Sequence, residues 1–311
     1  MKAVRYHSYG DSDVLVYEEA DRPVAGPGQV VVRVAGTAFN PVDASIRAGL
    51  LQQVFPVVFP HVPNYDVAGV ITEVGEGVSG WSVRDAVVAF LPMTEPGAAA
   101  EYAAAPAEAL AAAPGTVELA DAAALPSAGL TAWQSLFEHT GLKTGQSVLI
   151  NGAGGAVGGY AVQLAKRAGA TVTATASARS HDRVHSYGAD RIVDYTATPV
   201  LQAVAGQRFD VVLNLVPTSP EETARLVGLV ADGGAFVNTI PPGPEDAGRE
   251  VRTLQVFVRS DVAQLAELVA RVDAGDLKIE VAERLPLAEL AAVHDQAAAG
   301  RLPGRTILTP A

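Results

Sequence analysis

The sequence predicts an α/β chain in which a doubly wound parallel sheet is inserted into a β-rich domain. Three observations carry this. Short alternating strands broken by glycine and proline fill the first part of the chain. From about residue 121, strands alternate with helical patterns as far as Asn238. After about residue 261 the pattern returns to short strands. The boundaries expected are 1–120 plus 261–311 for the β-rich domain and 121–260 for the inserted one.

Within the β-rich part, Lys2-Ala3-Val4-Arg5-Tyr6 alternates as a strand, and Val14-Leu15-Val16-Tyr17 makes another. A loop through Pro23, Gly26, Pro27 and Gly28 leads to a strand from Gln29 to Ala35, with Val30, Val32 and Val34 on one face. Asn40-Pro41-Val42-Asp43 opens a short helix that ends near Gly49. Strands follow at Val67 to Val74, Asp85 to Phe90 and Ala99 to Ala104, in the manner of a compact barrel. Helices are expected at Asp121 to Pro126 and at Thr131 to Thr140, the second stopped by Gly141. Beyond the loop Pro241-Pro242-Gly243-Pro244 come a strand from Leu254 to Val258, an amphipathic helix from Asp261 to Ala274, and strands at Val281 to Leu285 and Thr306 to Leu308.

The inserted part begins with Val148-Leu149-Ile150, an apolar strand, followed by Asn151-Gly152-Ala153-Gly154-Gly155-Ala156-Val157-Gly158-Gly159. Tyr160, Ala161, Leu164, Ala165 and Ala168 then recur at helical spacing up to Gly169. Ala153, Gly155 and Gly158 fit the A-x-G-x-x-G form of the dinucleotide fingerprint, in the strand–turn–helix setting that gives it meaning. In that reading Ala153 makes the turn, Gly155 admits a pyrophosphate, and Gly158 lets helix and strand pack. The helix N-terminus faces the phosphates. Strands at Thr171 to Thr175 and Asp210 to Asn214 continue the βαβ series, which sets this match apart from an isolated glycine turn.

Composition narrows the chemistry. Hydrophobic residues make up 49% of 311 and charged ones only 18%, enough for a substantial core. No run of about 18 apolar residues suggests a membrane span, no secretory signal pattern opens the chain, and a cytoplasmic protein is the expectation. Cysteine is absent, which excludes disulfides and thiolate metal sites. His181 and His185 lie four apart beside Arg179 and Arg183, and read as a solvated helix start more readily than as a metal pair. A net charge of −12 argues against nucleic acid or an anionic membrane as partner.

An NAD site usually offers a carboxylate about 20 residues beyond the glycines, at the tip of the next strand. Here the tip reads Thr175-Ala176-Ser177-Ala178-Arg179-Ser180, without Asp or Glu. Ser177 and Arg179 can donate to a 2′-phosphate, which favours NADP; Arg179 as a plain surface residue is the competing view. No G-x-S-x-G elbow is present. The polar groups available for chemistry are Asn40, Asp43, Tyr65, Asp66 and Thr131, each of which, taken alone, reads more readily as structural, a cap or a core residue, than as catalytic.

Several segments, in order, now point to a family. They are Gly36 to Asp43, Asn64 to Ile71, Val74 to Val78, Gly97 to Ala103, Ala124-Leu125-Pro126 with Gly129 to Trp133, the glycine turn, and Gly188-Ala189-Asp190 with Val193-Asp194-Tyr195. Together they resemble a zinc-independent medium-chain dehydrogenase/reductase close to the NADPH:quinone oxidoreductases, over nearly the whole length. The resemblance implies a Rossmann domain inserted in a split GroES-like catalytic domain. Zinc-dependent relatives carry Cys where Asn40 stands and a His-Glu pair near Tyr65-Asp66, so the resemblance implies no metal.

The same resemblance implies roles by position. Asn40 would lie near the nicotinamide ribose or substrate and Thr131 near the nicotinamide. Ala153, Gly154, Gly155, Ala156, Val157 and Gly158 would hold the pyrophosphate. Ser177, Arg179 and Tyr195 would frame the 2′-phosphate. Leu215, Val216, Val237, Thr239 and Ile240 would line the nicotinamide. The tyrosine common after the N-P-x-D segment is missing here (Gly49 precedes Leu50-Leu51-Gln52-Gln53), and Asn214 replaces an aspartate common at the third strand tip. The expected function is metal-free hydride transfer from NADPH to a quinone or α,β-unsaturated carbonyl, with Tyr65 or water as proton source. An enoyl reductase of a polyketide-type pathway and a non-catalytic NADPH-binding sensor or scaffold are the alternatives. A homodimer joined through the edge strand at Leu254 to Val258 is also expected.

Overall fold

The computed structural model describes residues 1–239, 243–244 and 246–310. Ile240, Pro241 and Pro242, which carry one expected nicotinamide contact and half of an expected loop, lie outside the described residues. The chain forms two compact units, Met1–Ser127 with Ser260–Ala311 and Ala128–Arg259.

The first unit starts with β1 (Lys2–Arg5) and β2 (Val16–Glu19), paired antiparallel. β3 (Gln29–Ala38) is its organising strand. It is antiparallel to β4 (Asp66–Val74) and β6 (Tyr102–Pro106), while β5 (Ala86–Phe90) continues from β4 to β7 (Leu110–Ala112). Val31 is buried along with Val30, Val32 and Val34, so this strand is covered on both faces rather than on one. Between β3 and β4 runs the short helix α1 (Pro41–Arg47), with proline at its start and Asp43 Oδ2 accepting from the Asn40 N–H at 2.7 Å.

The expected helix at Asp121 to Pro126 is a 3₁₀ helix, Leu119–Ala124, and α2 (Pro126–Trp133) begins at the proline that was to end it. Proline has no N–H to lose at a first helical position, so it starts this helix. The 3₁₀ turn lies against β3 at Gly36, where an added Cβ would come within 2.5 Å of the Ala120 carbonyl oxygen. That contact places residues 119–124 in the first unit.

Beyond α2 the helix widens into a π turn, Gln134–His139. Ser135 and Thr140 hydroxyls donate to the carbonyls of Thr131 and Leu136, both at 2.6 Å, competing with the backbone ladder. The sheet of the second unit contains β8 (Ser147–Asn151), β9 (Thr171–Ala176), β10 (Arg191–Asp194), β11 (Phe209–Asn214), β12 (Val230–Asn238) and β13 (Arg252–Gln255). Their order is β10-β9-β8-β11-β12-β13, with every pairing parallel. This is the Rossmann order, with its switch point between β8 and β11. The helices are α3 (Ala156–Arg167), α4 (Ala178–Ser186), α5 (Val200–Ala203) and α6 (Pro220–Val227). The edge strand expected at Leu254 to Val258 begins two residues earlier and ends at Gln255.

The chain then re-enters the first unit through α7 (Val262–Asp273), β14 (Glu283–Pro286), α8 (Leu290–Ala298) and β15 (Thr306–Thr309). β15 lies between β14 and β3, giving the order β14-β15-β3-β4-β5-β7. Leu287, Leu290, Val293 and Leu308 share one core with Val4, Tyr6, Phe39 and Val62. The core of the second unit gathers Leu149, Val212, Leu226, Val230 and Phe236.

Candidate active site

The cofactor turn of the second unit is shaped by its glycines. Gly152 has φ 100°, in the left-handed region, so the sharp turn is made there and not at Ala153 as expected from the motif. An added Cβ on Gly158 would lie 2.3 Å from the Gly152 carbonyl oxygen and 2.6 Å from Ala153 Cα, so helix α3 seats directly on the turn. Gly155 would meet only ordinary contact at 3.5 Å and is exposed. It is the N-cap of α3 and has no side chain to fold back onto the first-turn N–H groups, which leaves them to face an anion. Arg183 Nη2 donates to the Gly154 carbonyl at 2.8 Å and tethers the turn to α4.

Ser177 is the N-cap of α4, and its hydroxyl makes no capping bond. Arg179, one residue into that helix, is exposed. Tyr195 follows the end of β10, the strand paired with β9, and is 53% exposed. Leu215 and Val216 leave β11 half-buried, close enough to the turn that a Cβ on Gly152 would come within 2.8 Å of Val216 Cγ1. Val237 is buried within β12, and Thr239 donates its N–H to the Asn214 carbonyl at 3.4 Å. Thr131 lies in α2, nearly buried, with its carbonyl taken by Ser135.

In the first unit the structure gathers a cluster that sequence reading assembled only in part. Asp66, fully buried, accepts four hydrogen bonds. Oδ1 takes the Ser127 N–H at 2.7 Å. Oδ2 takes the Ser127 hydroxyl at 2.6 Å, Asn40 Nδ2 at 2.8 Å and Arg305 Nη2 at 2.7 Å. Arg305 Nη1 also donates to Asn40 Oδ1 at 2.6 Å and to the Phe39 carbonyl at 3.0 Å. Ser127 and Arg305 were the missing members. Arg305 could have been noticed as an arginine set between Pro303-Gly304 and the apolar strand that follows; Ser127 carried no such signal.

Tyr65 belongs to a different group. Its hydroxyl is 3.0 Å from His61 Nε2, and both residues are buried. Burial holds the phenol well above its usual range and pushes His61 down to about 4, so both are neutral at pH 7. Asp43, also buried, is raised well above the carboxylate range, mainly by desolvation.

Family models match the chain over two regions: the alcohol dehydrogenase GroES-like domain over residues 26–115 and zinc-binding dehydrogenases over residues 187–308. Over its full length the chain is 34% identical to the chloroplast envelope quinone oxidoreductase homolog of Arabidopsis thaliana, covering 98% of that relative. The chain belongs to the quinone oxidoreductase family of medium-chain dehydrogenases/reductases. Within that family, the quinone oxidoreductase of Coxiella burnetii shares its fold with a TM-score of 0.89 at 27% identity, covering 100% of this chain and 99% of that one. A second Arabidopsis relative, a chloroplastic NADPH-dependent alkenal/one oxidoreductase, is 37% identical over 78% of this chain and 64% of its own length.

Zinc does not fit this member of the family. The carboxylate of Asp66 is saturated by donors and neutralised by a buried guanidinium, which would repel a dication. Asn40, the residue beside it, turns its amide to Asp66 and Arg305. Among the described residues, no three His, Cys, Asp or Glu side chains gather as metal ligands.

Proposed function

We propose that this chain is an NADPH-dependent reductase that reduces a quinone or an α,β-unsaturated carbonyl without metal. The observation that carries the reading is the Asp66 cluster. Asn40, Ser127 and Arg305 fill with fixed hydrogen bonds the place where zinc-dependent relatives hold their ion. Direct oxidation of simple alcohols needs a strong electrophile at the oxygen, whereas a conjugated acceptor spreads incoming charge and can be served by hydrogen bonds. Bound NADPH would supply the hydride.

In this reading the α3 N-terminus from Ala153 to Gly158 holds the pyrophosphate. Ser177, Arg179 and Tyr195 take the 2′-phosphate, an assignment supported by the uncapped hydroxyl and the exposed guanidinium at the β9 tip. Leu215, Val216, Val237 and Thr239, with Thr131 in the same unit, provide the surface for the nicotinamide, and the proton would come from Tyr65 or water. The names of the Arabidopsis relatives, one a quinone oxidoreductase homolog and one an alkenal/one oxidoreductase, agree with this acceptor class. Homodimerisation would extend the sheet at β13, its edge strand, with the exposed Phe257 just beyond.

The test is steady-state turnover over a panel of quinones and enones with NADPH and NADH, with and without chelator. NADPH-preferring, chelator-insensitive reduction is expected. Equal use of NADH would overturn the phosphate assignment, and tight NADPH binding without turnover of any acceptor would make the chain a binding protein instead.

A further inference from the structure

Three of the four central strands in the second unit end in the same way: Leu149-Ile150-Asn151, Val212-Leu213-Asn214 and Phe236-Val237-Asn238. β8, β11 and β12 are adjacent and parallel, so the three asparagines stand side by side at the carboxyl end of the sheet, with Thr175 of β9 next to them. All four residues are buried.

Their hydrogen bonds run in one direction. The Gly152 N–H donates to Thr175 Oγ1 at 2.9 Å, and the Thr175 hydroxyl donates onward to Asn151 Oδ1 at 2.9 Å. With its oxygen facing Thr175, Asn151 presents Nδ2 to Asn214 Oδ1 at 2.8 Å. The Asn214 amide is thereby fixed with its nitrogen outward. It reaches the Val216 carbonyl at 3.0 Å, Thr218 Oγ1 at 3.2 Å and, at 3.4 Å, Asn238 Oδ1. Flipping any one amide would set oxygen against oxygen or nitrogen against nitrogen along the row. The row therefore links the glycine turn at one end to the 215–218 segment at the other. The two ends also touch directly, because a Cβ on Gly152 would fall within 2.8 Å of Val216 Cγ1 and 3.2 Å of Leu215 Cβ.

We propose that Asn214 is a positioning residue for the cofactor: by donating to the Val216 carbonyl it sets the segment that receives the nicotinamide half of NADPH, leaving the adenosine half to Ser177 and Arg179. The inference rests on the NADPH reading above. An aspartate at this position could still accept from Asn151. It would have no proton for the Val216 carbonyl, and would aim a carboxylate at that oxygen in a buried site.

The test compares affinities for NADPH and for 2′,5′-ADP, which carries only the adenosine half, in the parent protein and in N214D, N214A and N214T. Each variant is also checked for its thermal unfolding midpoint. N214D should weaken NADPH roughly tenfold or more while changing 2′,5′-ADP by less than about twofold, given the usual cost of an unmade buried hydrogen bond. N214A should behave similarly, so that the result survives if N214D does not fold, and N214T, which keeps a hydroxyl donor, should recover part of the loss. Equal weakening of both ligands would make Asn214 a scaffold residue only and overturn the proposal, as would unchanged NADPH affinity. Failure of the parent protein to bind 2′,5′-ADP would overturn the NADPH reading and this proposal with it.

Discussion

Arg305 Nη2 donates to Asp66 Oδ2 at 2.7 Å, between side chains that are 5% and 0% exposed. The two residues are 239 positions apart in sequence. A pair so buried is a commitment in both directions, since neither charge has water to fall back on.

Removing one partner should therefore be costly. R305M strands the Asp66 carboxylate and is expected to lower unfolding free energy by about 3–5 kcal/mol in urea titrations. The double variant D66N/R305M should recover a large part of that loss. Strict additivity of the two single substitutions would show that the pair is not coupled.

The 2′-phosphate assignment is tested by Arg179→Ala. One charge-assisted hydrogen bond lost corresponds to about 1.5–3 kcal/mol, or roughly ten- to a hundredfold in NADPH affinity. Binding of NADH should stay within about twofold, since it lacks that phosphate. Isothermal titration of both cofactors reads the difference directly, and a parallel fall in both would refute the assignment.

Two glycines of the turn should respond differently. G158A pushes a methyl to 2.3 Å from one backbone oxygen, and overpacking of that kind costs about 1–3 kcal/mol. G155A meets only ordinary contact at 3.5 Å and should leave the melting temperature unchanged while weakening cofactor binding, because its methyl would stand at the mouth of the turn. Thermal melts with and without NADPH separate the two effects.

Acid should destabilise the first unit through its buried histidines. His61 is pushed down to about 4 and His294 to about 3, both by burial first, from 6.5. Between pH 6.5 and those values the unfolded chain binds protons that the folded one refuses, so stability is intact above pH 6.5 and falls as pH drops toward 4. Asp43 acts with the opposite sign, since its raised folded value makes protonation favour the native state as pH falls. The double variant H61Q/H294L should flatten the decline between pH 6.5 and 4, measured by urea midpoints across that range. An undiminished slope would exclude these two residues as its source.

Much of this was legible in the sequence because it is local. The strand, turn and helix around Gly152 to Gly169 are adjacent in the chain, and so are the polar tip at Ser177 and Arg179 and the amphipathic α7. What periodicity could not reach was partnership across distance. Asp66 was visible as a polar residue in an apolar run, but its four donors come from three other places in the chain. The motif also placed the turn one residue late: the left-handed φ falls at Gly152, the residue on which Gly158 of α3 seats. Repeated Asn at three strand ends was in plain view, yet its meaning depends on strand order, which puts Asn151 beside Asn214 and not beside its neighbour in sequence.

The position of β15 has a consequence for biosynthesis. β15 completes the pairing of β3 at Thr37 and Ala38, and Arg305 directly precedes it, so both are made only after the inserted unit. While the second unit is being synthesised, β3 waits with part of its edge open and Asp66 without its cation. The inserted unit can finish folding during translation, whereas the split unit cannot close until residues 305–309 have been made. A nascent chain stalled before residue 305 should thus be the form most in need of chaperone cover, with the exposed edge of β3 as what the chaperone must hide.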